Sequence, residues 1–592
     1  MCGIVGHISK NSKIDLAQLE LACESLKHRG PDGQGAKMIS DRIGFGHTRL
    51  SFLDLGEQGA QPMTNNSKDV WISFNGEIYN YIELKEELKE HYSFKGTSDT
   101  EVLLAAYEHW GIAMLNKLKG MFAFALFDQS SSDLYLVRDH FGIKPLYYYL
   151  NENNLIFASE LKALHEFKEF EKALDKSSFC DYFVYRYVPS PKTIWQNTYK
   201  LEPAHYLVLD TVSFEIKQEE YWQLPNVNEK PAAQELVNYV GKALEKSVIS
   251  HARADVPIGS FLSGGYDSSA IAYLLKKKNY KPKTFSIGFS EWDKSEDYFA
   301  KIVANHLGLE NKKIIADEHS LSLIDKMPEV YDEPIADISI IPTYMVSALA
   351  RKDVKAVMSG EGADELFGGY HWQKEYSTLN NPKKWISRLK NIFKKPDSLS
   401  FYAKAMSMGN FDKEELQAML QPNMHPFIPK DMHWFYRKHI NPSLSPLKQI
   451  QYLDMKCFMG ELVLVKVDRA SMANSLEVRV PFLDWALFEK IFSTDEHIYY
   501  KENETKFLLK EHIKDHLPQE IIDRNKQGFV GPDSYYMNKA WYEEQLKNSV
   551  LVEQKIIKRD YIDNLLAQDY DWRIWKILVM EKWFAKWVHQ EA

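Results

Sequence analysis

The sequence predicts two domains of different fold class, an α+β sandwich followed by an α/β domain with a doubly wound parallel sheet. At 592 residues the chain is too long for one ordinary hydrophobic core, so more than one domain is expected. The first part contains short strands separated by turn-rich loops, whereas strands and helices alternate regularly further on. Such alternation implies parallel strands joined by right-handed crossovers, which defines the class of the second domain.

We place the domain boundary in a polar, poorly periodic stretch, residues 211–231, which contains Pro225 and Pro231. The first domain is then expected at residues 2–210 and the second at 232–592. Within the second domain we expect helices at 233–252, 295–307 and 338–351 and strands at 257–262, 284–289, 313–315 and 354–358. The first and last of these strands each run into a Gly-rich turn, which is where ligands bind on such sheets.

The composition is that of a soluble globular protein and disfavours several functional classes. Hydrophobic residues make up 45% and charged residues 26%. The net charge of −9 argues against a general nucleic-acid binder, and no run of about 18 apolar residues is present to span a membrane. The four cysteines lack disulfide or metal-binding spacing and no signal segment is visible, so we expect a cytoplasmic protein. The oligomeric state stays open, with a homodimer among the alternatives.

The turn after the first of these strands has the features of a phosphate-binding loop. The strand runs into Ser263-Gly264-Gly265 and then directly into a helix. Glycines let the backbone approach a ligand, and the helix start offers unpaired N–H groups and a positive dipole end. No Lys follows the glycines as it does in a Walker A loop. Asp267 is placed to hold Mg²⁺ against a polyphosphate.

The whole turn, SGGYDSS at 263–269, resembles the SGGxDS signature of the ATP pyrophosphatases, which adenylate a carboxyl or carbonyl oxygen and release pyrophosphate. Tyr266 stands where many relatives carry Leu or Val, and the phosphate-binding residues are intact. A second polar turn, SGEGADE at 359–365, ends the strand at 354–358. Alone it would be a solvated acidic loop. Paired with the first turn, it predicts that Asp267 and Asp364 share a magnesium–pyrophosphate site.

Cys2 is the candidate nucleophile of the first domain. Removal of Met1 would expose its α-amine, whose ordinary pKa of about 7.7–8.0 suits a general base for the neighbouring thiol. An incidental buried thiol is the alternative reading of Cys2 alone. Its sequence context decides against that alternative, because four motifs follow in order, MCGI at 1–4, HRGPD at 28–32, NGEIYN at 75–80 and SDTE at 98–101.

These motifs resemble the glutaminase domain of the N-terminal-nucleophile (class II) amidotransferases over residues 1–210. The resemblance implies that the Cys2 thiolate attacks the side-chain amide of glutamine. It also implies that Asn75 and Gly76 donate to the oxyanion, where one donor is worth about 10²–10³ in rate. The resemblance further implies that Arg49 binds the α-carboxylate of glutamine, and that Glu77 and Asp99 bind its α-ammonium. We expect Arg29 to organise its loop and His47 to be a packed histidine.

Taken together, the two halves resemble the glutamine-hydrolysing asparagine synthetases over nearly the whole chain. The resemblance implies the substrates glutamine, aspartate and ATP, the cofactor Mg²⁺, and a reaction through an aspartyl-adenylate that ammonia converts to the amide. Glu361 matches the residue that takes a proton as ammonia attacks. Lys466 and Arg469 are the candidate cations for leaving pyrophosphate, with the choice between them open. The implied nucleotide-binding residues are Phe261, Leu262, Ser263, Gly264, Gly265, Asp267, Ser268, Ile287, Ser359 and Gly360.

Two other functions compete with this hypothesis. The same chemistry could amidate a sugar uronate or another carboxylate in surface-polysaccharide synthesis, although Glu361 favours aspartate because several relatives with other acceptors carry Asp there. A non-catalytic scaffolding homologue would keep the fold but lose reactive residues, and Cys2, Asp267 and Asp364 are all present. Lys506 and the segment 524–529 also recur in the family.

Overall fold

The computed structural model describes residues 2–290, 292, 295–379, 397–500, 505–524, 531–568 and 571–589. Among these residues, no helix has both the length and the apolar character needed to span a membrane. The first domain is a sandwich of two six-stranded antiparallel sheets. Its strands are β1 (Gly3–Ser9), β2 (Gly33–Ser40), β3 (Ile43–Arg49), β4 (Met63–Thr64), β5 (Val70–Ile78), β6 (Gly120–Asp128), β7 (Asp133–Arg138), β8 (Tyr147–Leu150), β9 (Asn154–Ala158), β10 (Thr198–Lys200), β11 (His205–Asp210) and β12 (Ile216–Glu220).

The two sheets pack face to face and carry helices on their outer faces. One sheet has the order β10-β8-β9-β1-β3-β2 and the other β12-β11-β7-β6-β5-β4. Ile4 and Phe45 from the first sheet meet Ala125 and Leu136 from the second in the inner core. Strand β6 is apolar along most of its length because its other face packs against helix Asp99–Trp110. This arrangement buries β1, which follows Cys2 directly, and β5, which contains Asn75.

The boundary between the domains differs from the expected one. Strand β12 pairs with β11, so the second sheet of the sandwich continues into the stretch 211–231 that was expected to be linker. The helix of the next domain then begins at Ala233, as predicted.

The second domain is built on a five-stranded sheet in which all pairs are parallel. Its strands are β13 (Ile258–Phe261), β14 (Thr284–Phe289), β15 (Asn311–Ala316), β16 (Ala356–Met358) and β17 (Glu477–Arg479). The spatial order is β15-β14-β13-β16-β17, so the chain reverses its direction of winding between β13 and β16. In doubly wound sheets that switch point forms the ligand crevice. The two Gly-rich turns follow these two strands.

The helices of the described chain are mostly short outside the sheet crossovers. The α-helices are α1 (Leu16–Ser25), α2 (Tyr81–Leu88), α3 (Asp99–Trp110), α4 (Lys176–Tyr185), α5 (Ala233–His251), α6 (Tyr266–Lys277), α7 (Glu296–Leu307), α8 (Met327–Tyr331), α9 (Ile340–Arg351), α10 (Ala363–Phe367), α11 (His371–Leu379), α12 (Ser398–Met406), α13 (Lys413–Met419), α14 (Trp434–Lys438), α15 (Pro446–Leu453), α16 (Leu464–Met472), α17 (Trp485–Ser493), α18 (Glu496–Tyr499), α19 (Phe507–Ile513), α20 (Gln519–Ile522), α21 (Asp533–Tyr536), α22 (Lys539–Leu546), α23 (Val550–Glu553), α24 (Arg559–Leu566) and α25 (Arg573–Phe584). A π-helix, Asp454–Val463, leads directly into α16.

Both predictions of fold class are confirmed, and the predicted elements of the second domain are close to those observed. The strand expected at 284–289 is β14 with the same bounds, and the helix expected at 233–252 is α5. Strand β17 was not predicted. It has only three residues and lies far along the chain from its partner β16, so no local pattern marks it.

Candidate active sites

Cys2 directly precedes the buried strand β1 and is held at both ends of its backbone. Its N–H donates to Asn75 Oδ1 at 3.0 Å, and its carbonyl accepts from Arg29 Nε at 3.1 Å. Asn75 is fully buried on β5, and its Nδ2 has no hydrogen-bond partner among the described residues. Burial raises the pKa of the Cys2 thiol, while the nearby charge of Arg49 lowers it. The first site thus joins a thiol with an uncommitted amide donor.

Gly76 is required by the close packing of β5 against β6. A Cβ at this position would lie 2.1 Å from the carbonyl oxygen of Met121 and 2.8 Å from the Cα of Phe122. Real Cβ contacts of that length do not occur, so only glycine fits beside Asn75. The peptide after Asn75 is therefore fixed by the sheet.

Arg49 ends strand β3 and is held by the loop that follows it. Its guanidinium donates to the carbonyls of Gly56 at 2.8 Å, Leu53 at 3.3 Å and Asp54. A Cβ on Gly59 would lie 2.0 Å from the Arg49 Nη2, so the absence of a side chain at residue 59 leaves space for the guanidinium. The loop fixes the guanidinium close enough to Cys2 to influence its thiol.

Two buried carboxylates complete the first site. Ser98 caps helix α3, and Asp99 begins it. The Asp99 Oδ2 accepts from the backbone N–H of Ile78 at 2.9 Å, and burial raises the pKa of this carboxyl to about 6. Glu77 lies on β5, where burial raises its pKa well above the usual value. The structure therefore brings together all the residues predicted for the glutamine pocket, namely Cys2, Arg49, Asn75, Gly76, Glu77 and Asp99.

His47 is a packed histidine, as expected. It is 1% exposed, and its Nε2 lies 3.1 Å from the carbonyl oxygen of Phe74. Burial lowers its pKa to about 3. A neutral ring committed to the backbone does not serve as a base for Cys2.

The turn after β13 is organised by two serines. The Ser263 N–H donates to Ser268 Oγ at 3.2 Å, and the two hydroxyl oxygens lie 3.1 Å apart. The Gly265 N–H donates to Ser263 Oγ at 3.3 Å. Gly264 has φ +72°, and a Cβ there would lie 2.5 Å from the backbone carbon of Phe299. The loop therefore presents backbone amides at the start of α6. Phe261 ends β13, Leu262 follows it directly, and Ile287 lies within the neighbouring strand β14.

The two Gly-rich turns touch each other. A Cβ on Gly360 would lie 2.9 Å from the Cβ of Asp267, so the second turn approaches the first because residue 360 has no side chain. Lys506 lies between the two predicted metal ligands, with its Nζ 2.5 Å from Asp267 Oδ2 and 2.7 Å from Asp364 Oδ1. Burial lowers the pKa of Lys506, but the charges of these two carboxylates outweigh burial and raise the pKa above its usual value. A Cβ on Gly369 would lie 2.3 Å from the Lys506 Cε. Asp267 and Asp364 thus converge on the ammonium of Lys506, and the prediction that they share a magnesium–pyrophosphate site stays a prediction.

Glu361 lies in the second turn and is accompanied by Lys466. Burial raises the pKa of Glu361, and the charge of Lys466 opposes that rise. The Lys466 Nζ donates to Ser339 Oγ at 2.6 Å and lies 3.6 Å from Asp337 Oδ1. The Ser359 N–H donates to the carbonyl of Arg479 on the neighbouring strand β17 at 2.9 Å.

The structure does not place Arg469 with Lys466. Its guanidinium is 1% exposed and forms ion pairs with Glu160 of the first domain at 2.9 Å and with Asp332 at 3.3 Å. Arg29 joins the same cluster through Glu160 at 2.7 Å and Asp468 at 2.8 Å. The expectation that Arg469 binds pyrophosphate has no support in this geometry, because the side chain is committed to the contact between the domains. Arg29 organises that contact rather than only its own loop.

Sequence analysis did not single out Arg479, and it noted Arg524 only as the start of a segment that recurs in the family. Arg479 contacts Glu77 from the second domain, and no local pattern in the sequence marks that contact. Arg524 donates to the Ser263 carbonyl at 3.1 Å, so the start of the 524–529 segment does reach the phosphate loop. Residues 525–529 lie outside the described residues.

Comparison with known proteins gives the class of each domain. The sequence model of the asparagine synthase family matches residues 239–585, and that of the glutamine amidotransferase domain family matches residues 1–222. The glutamine-hydrolyzing asparagine synthetase 1 of Bacillus subtilis is 36% identical, over 99% of this chain and 96% of that protein. A putative glutamine-hydrolyzing asparagine synthetase of Mycobacterium tuberculosis is 32% identical, over 100% of this chain and 98% of that protein.

The two matched families define a glutamine amidotransferase domain joined to an asparagine synthase domain. Within that class, the chain belongs to the family of glutamine-hydrolysing asparagine synthetases, ATP-using ligases that form asparagine by glutamine-dependent amide synthesis. These relatives do not favour the alternative of a uronate acceptor.

Proposed function

We propose that this chain hydrolyses glutamine at Cys2 and uses the released ammonia to amidate the side chain of aspartate through an adenylate. The observation that supports it most directly is the placement of Asn75, whose oxygen accepts the Cys2 N–H. That bond orients the amide, so that its unpaired Nδ2 is the donor offered to the pocket. A preorganised donor beside a nucleophile is what an acyl-transfer site requires.

At the first site the Cys2 α-amine, exposed when Met1 is removed, accepts the thiol proton, and the sulfur attacks the side-chain carbonyl carbon of glutamine. The Asn75 Nδ2 and the backbone N–H of Gly76 stabilise the tetrahedral oxyanion. As the intermediate collapses, the α-ammonium returns the proton to the leaving nitrogen, the C–N bond breaks and ammonia is released, leaving a thioester that water converts to glutamate. Arg49 holds the α-carboxylate of the substrate, and Glu77 and Asp99 hold its α-ammonium, as the motif resemblance implies.

At the second site a carboxylate oxygen of aspartate attacks the α-phosphorus of ATP, and the bond to pyrophosphate breaks. Backbone amides of the loop 263–268 hold phosphate oxygens at the positive end of α6. Ammonia then attacks the acyl carbon, Glu361 accepts a proton, and AMP leaves. Burial raises the pKa of Glu361, which suits a carboxylate that must take up a proton during the reaction. We assign the cation beside this step to Lys466, because Arg469 is committed elsewhere.

The residues at the end of β13 and β16 fit a Mg²⁺ ion. Asp267 and Asp364 both reach the ammonium of Lys506, so their oxygens already converge on one position, and carboxylate oxygens suit Mg²⁺. Among the described residues no cluster of three His, Cys, Asp or Glu side chains is found, so phosphate oxygens and water would supply the remaining ligands. When bound with ATP, Mg²⁺ supplies charge neutralisation for the leaving pyrophosphate.

The acceptor is tested with purified full-length protein, ATP, Mg²⁺ and glutamine. Aspartate, glutamate and a nucleotide-sugar uronate are compared by measuring AMP, pyrophosphate and amide product. We expect AMP, pyrophosphate and asparagine in equal amounts when aspartate is the acceptor, and no AMP formation with glutamate or the uronate. Asp364→Asn is the matched control and should lose AMP formation while still releasing glutamate from glutamine. Finding AMP only with the uronate would overturn the assignment of the acceptor.

A further inference from the structure

Strand β17 is the last strand of the second domain's sheet and connects the two sites. It pairs in parallel with β16, and the Ser359 N–H of the nucleotide turn donates to the Arg479 carbonyl at 2.9 Å. Glu477 and Arg479 stand two residues apart and therefore project from the same face of the strand. Both side chains are fully buried. The backbone of β17 thus faces the ATP site while two of its side chains face the glutamine pocket.

The guanidinium of Arg479 is fixed by its own domain and directed at the other. Its Nη1 donates to the carbonyls of His251 and Arg253, each at 2.7 Å, and its Nε donates to Glu477 Oε1 at 2.5 Å. Its Nη2 lies 3.2 Å from Glu77 Oε1. The ring of Phe52, also from the first domain, lies under the guanidinium at 5.2 Å from ring centroid to Cζ.

The charge state of Glu77 depends on this neighbour. Burial raises the pKa of the Glu77 carboxyl, and the charge of Arg479 lowers it, while Glu477 and Asp99 raise it further. The charged groups that act on Glu77 are therefore two carboxylates, the Arg479 guanidinium and the N-terminal amine, which lowers the pKa as the guanidinium does. Without the guanidinium, Glu77 would take up a proton at a higher pH and lose the charge that attracts an ammonium group.

We propose that Arg479 is a positioning residue of the glutamine pocket, supplied by the synthetase domain. Its charge opposes the protonation of Glu77, and its guanidinium holds that carboxyl in place as an acceptor for the α-ammonium of glutamine. It also ties that acceptor, through the β17 backbone, to the nucleotide turn at Ser359. The inference rests on the proposed role of Glu77. Because the link is one rigid strand, a ligand that shifts the nucleotide turn also changes the affinity for glutamine, and the coupling is reciprocal.

The test compares Arg479→Gln with Arg479→Lys and Glu77→Gln in the full-length protein. For each, KM and kcat of glutamine hydrolysis are measured across pH, with and without ATP and aspartate, and ammonia-dependent synthesis reports an intact second site. Arg253→Gln is the control, because Arg253 pairs across the same interface with Glu83 at 2.8 Å but not with Glu77.

We expect Arg479→Gln to raise KM for glutamine about tenfold, which corresponds to about 1.4 kcal/mol. As pH is lowered, the kcat/KM of this variant should begin to fall at a higher pH than that of the wild type. Addition of ATP and aspartate should no longer change its KM for glutamine. Arg479→Lys should be intermediate, because an ammonium keeps the charge but cannot span Glu77 and two carbonyls. Arg253→Gln should match the wild type.

The outcomes separate the inference from its premise. An unchanged KM in Glu77→Gln would remove Glu77 from the glutamine pocket and so refute the proposed site. A raised KM in Glu77→Gln together with a wild-type KM and pH profile in Arg479→Gln would overturn the inference alone. If Arg479→Gln does not fold, Arg479→Lys decides, and a wild-type KM and pH profile in that variant would count against the positioning role.

Discussion

At the scale of single residues, the first site depends on how one amide is shared. The Asn75 oxygen is engaged by the Cys2 N–H, so the side chain cannot rotate to present its oxygen to the substrate. The sequence motif predicted which residues meet here. It did not predict that Arg29, whose Nε donates to the Cys2 carbonyl, belongs to the interface as well, because its partner Asp468 lies in the other domain.

Cys2→Ala should abolish glutamine hydrolysis, because no other nucleophile of the pocket carries an amine on its own residue. The same variant should still form asparagine from ATP, aspartate and ammonium salt, and more rapidly as pH rises and free ammonia increases. The paired measurement is glutamate released from glutamine and asparagine formed with ammonium. Cys23→Ala, which removes another buried thiol of the same domain, should retain both activities. Glutamate release by Cys2→Ala would refute the N-terminal-nucleophile mechanism.

At the scale of elements, the ATP site is formed where β13 and β16 lie side by side. The sequence predicted both turns because each has its own chemistry, a Gly-rich loop or an acidic cluster at a strand end. It could not predict the contact between them in detail, since Gly360 and Asp267 approach only in the folded sheet. Lys506 was recognised only by resemblance, and its position between Asp267 and Asp364 follows from helix α19 packing beside the turns.

Gly360→Ala should separate the two turns, because the new Cβ would lie 2.9 Å from the Asp267 Cβ. Misplacement of reacting groups by about 1 Å can cost about 10²-fold in rate, so we expect a loss of that size in ammonia-dependent synthesis. Glutamine hydrolysis should persist. Gly460→Ala is the matched control, since its Cβ would meet the nearest atom at an ordinary 3.5 Å. Full synthetic activity in Gly360→Ala would show that the turns need not touch.

At the scale of the whole molecule, the domains meet through buried charge. Arg29 and Glu160 of the first domain interlock with Asp468 and Arg469 of the second, and all four side chains are nearly inaccessible to water. The sequence did not reveal this cluster, because its members come from distant segments and no local motif shows that they meet. For the same reason the motif around Arg469 marked it only as one of two candidate cations for pyrophosphate, and it could not indicate the ion pair with Glu160.

Asp468→Asn should destabilise the protein by about 3–5 kcal/mol, because removal of one partner leaves a buried guanidinium incompletely compensated. Urea unfolding of the full chain measures this change. Glu83→Gln breaks the more exposed interdomain pair with Arg253 and should cost no more than about 1 kcal/mol. Equal stability of the two variants would mean that the buried cluster contributes no more than a surface ion pair.

The three-residue strand β17 has a consequence for how such a chain can be divided. It is the edge strand of its sheet, and its buried side chain Arg479 contacts Glu77 of the first domain at 3.2 Å. A fragment beginning near residue 232 would expose an unpaired strand edge, a site for unwanted pairing with other chains, and would leave Glu477 and Arg479 at a bare surface. A ligase of this kind that uses ammonia alone would therefore require a redesigned edge, and could not arise by truncation alone.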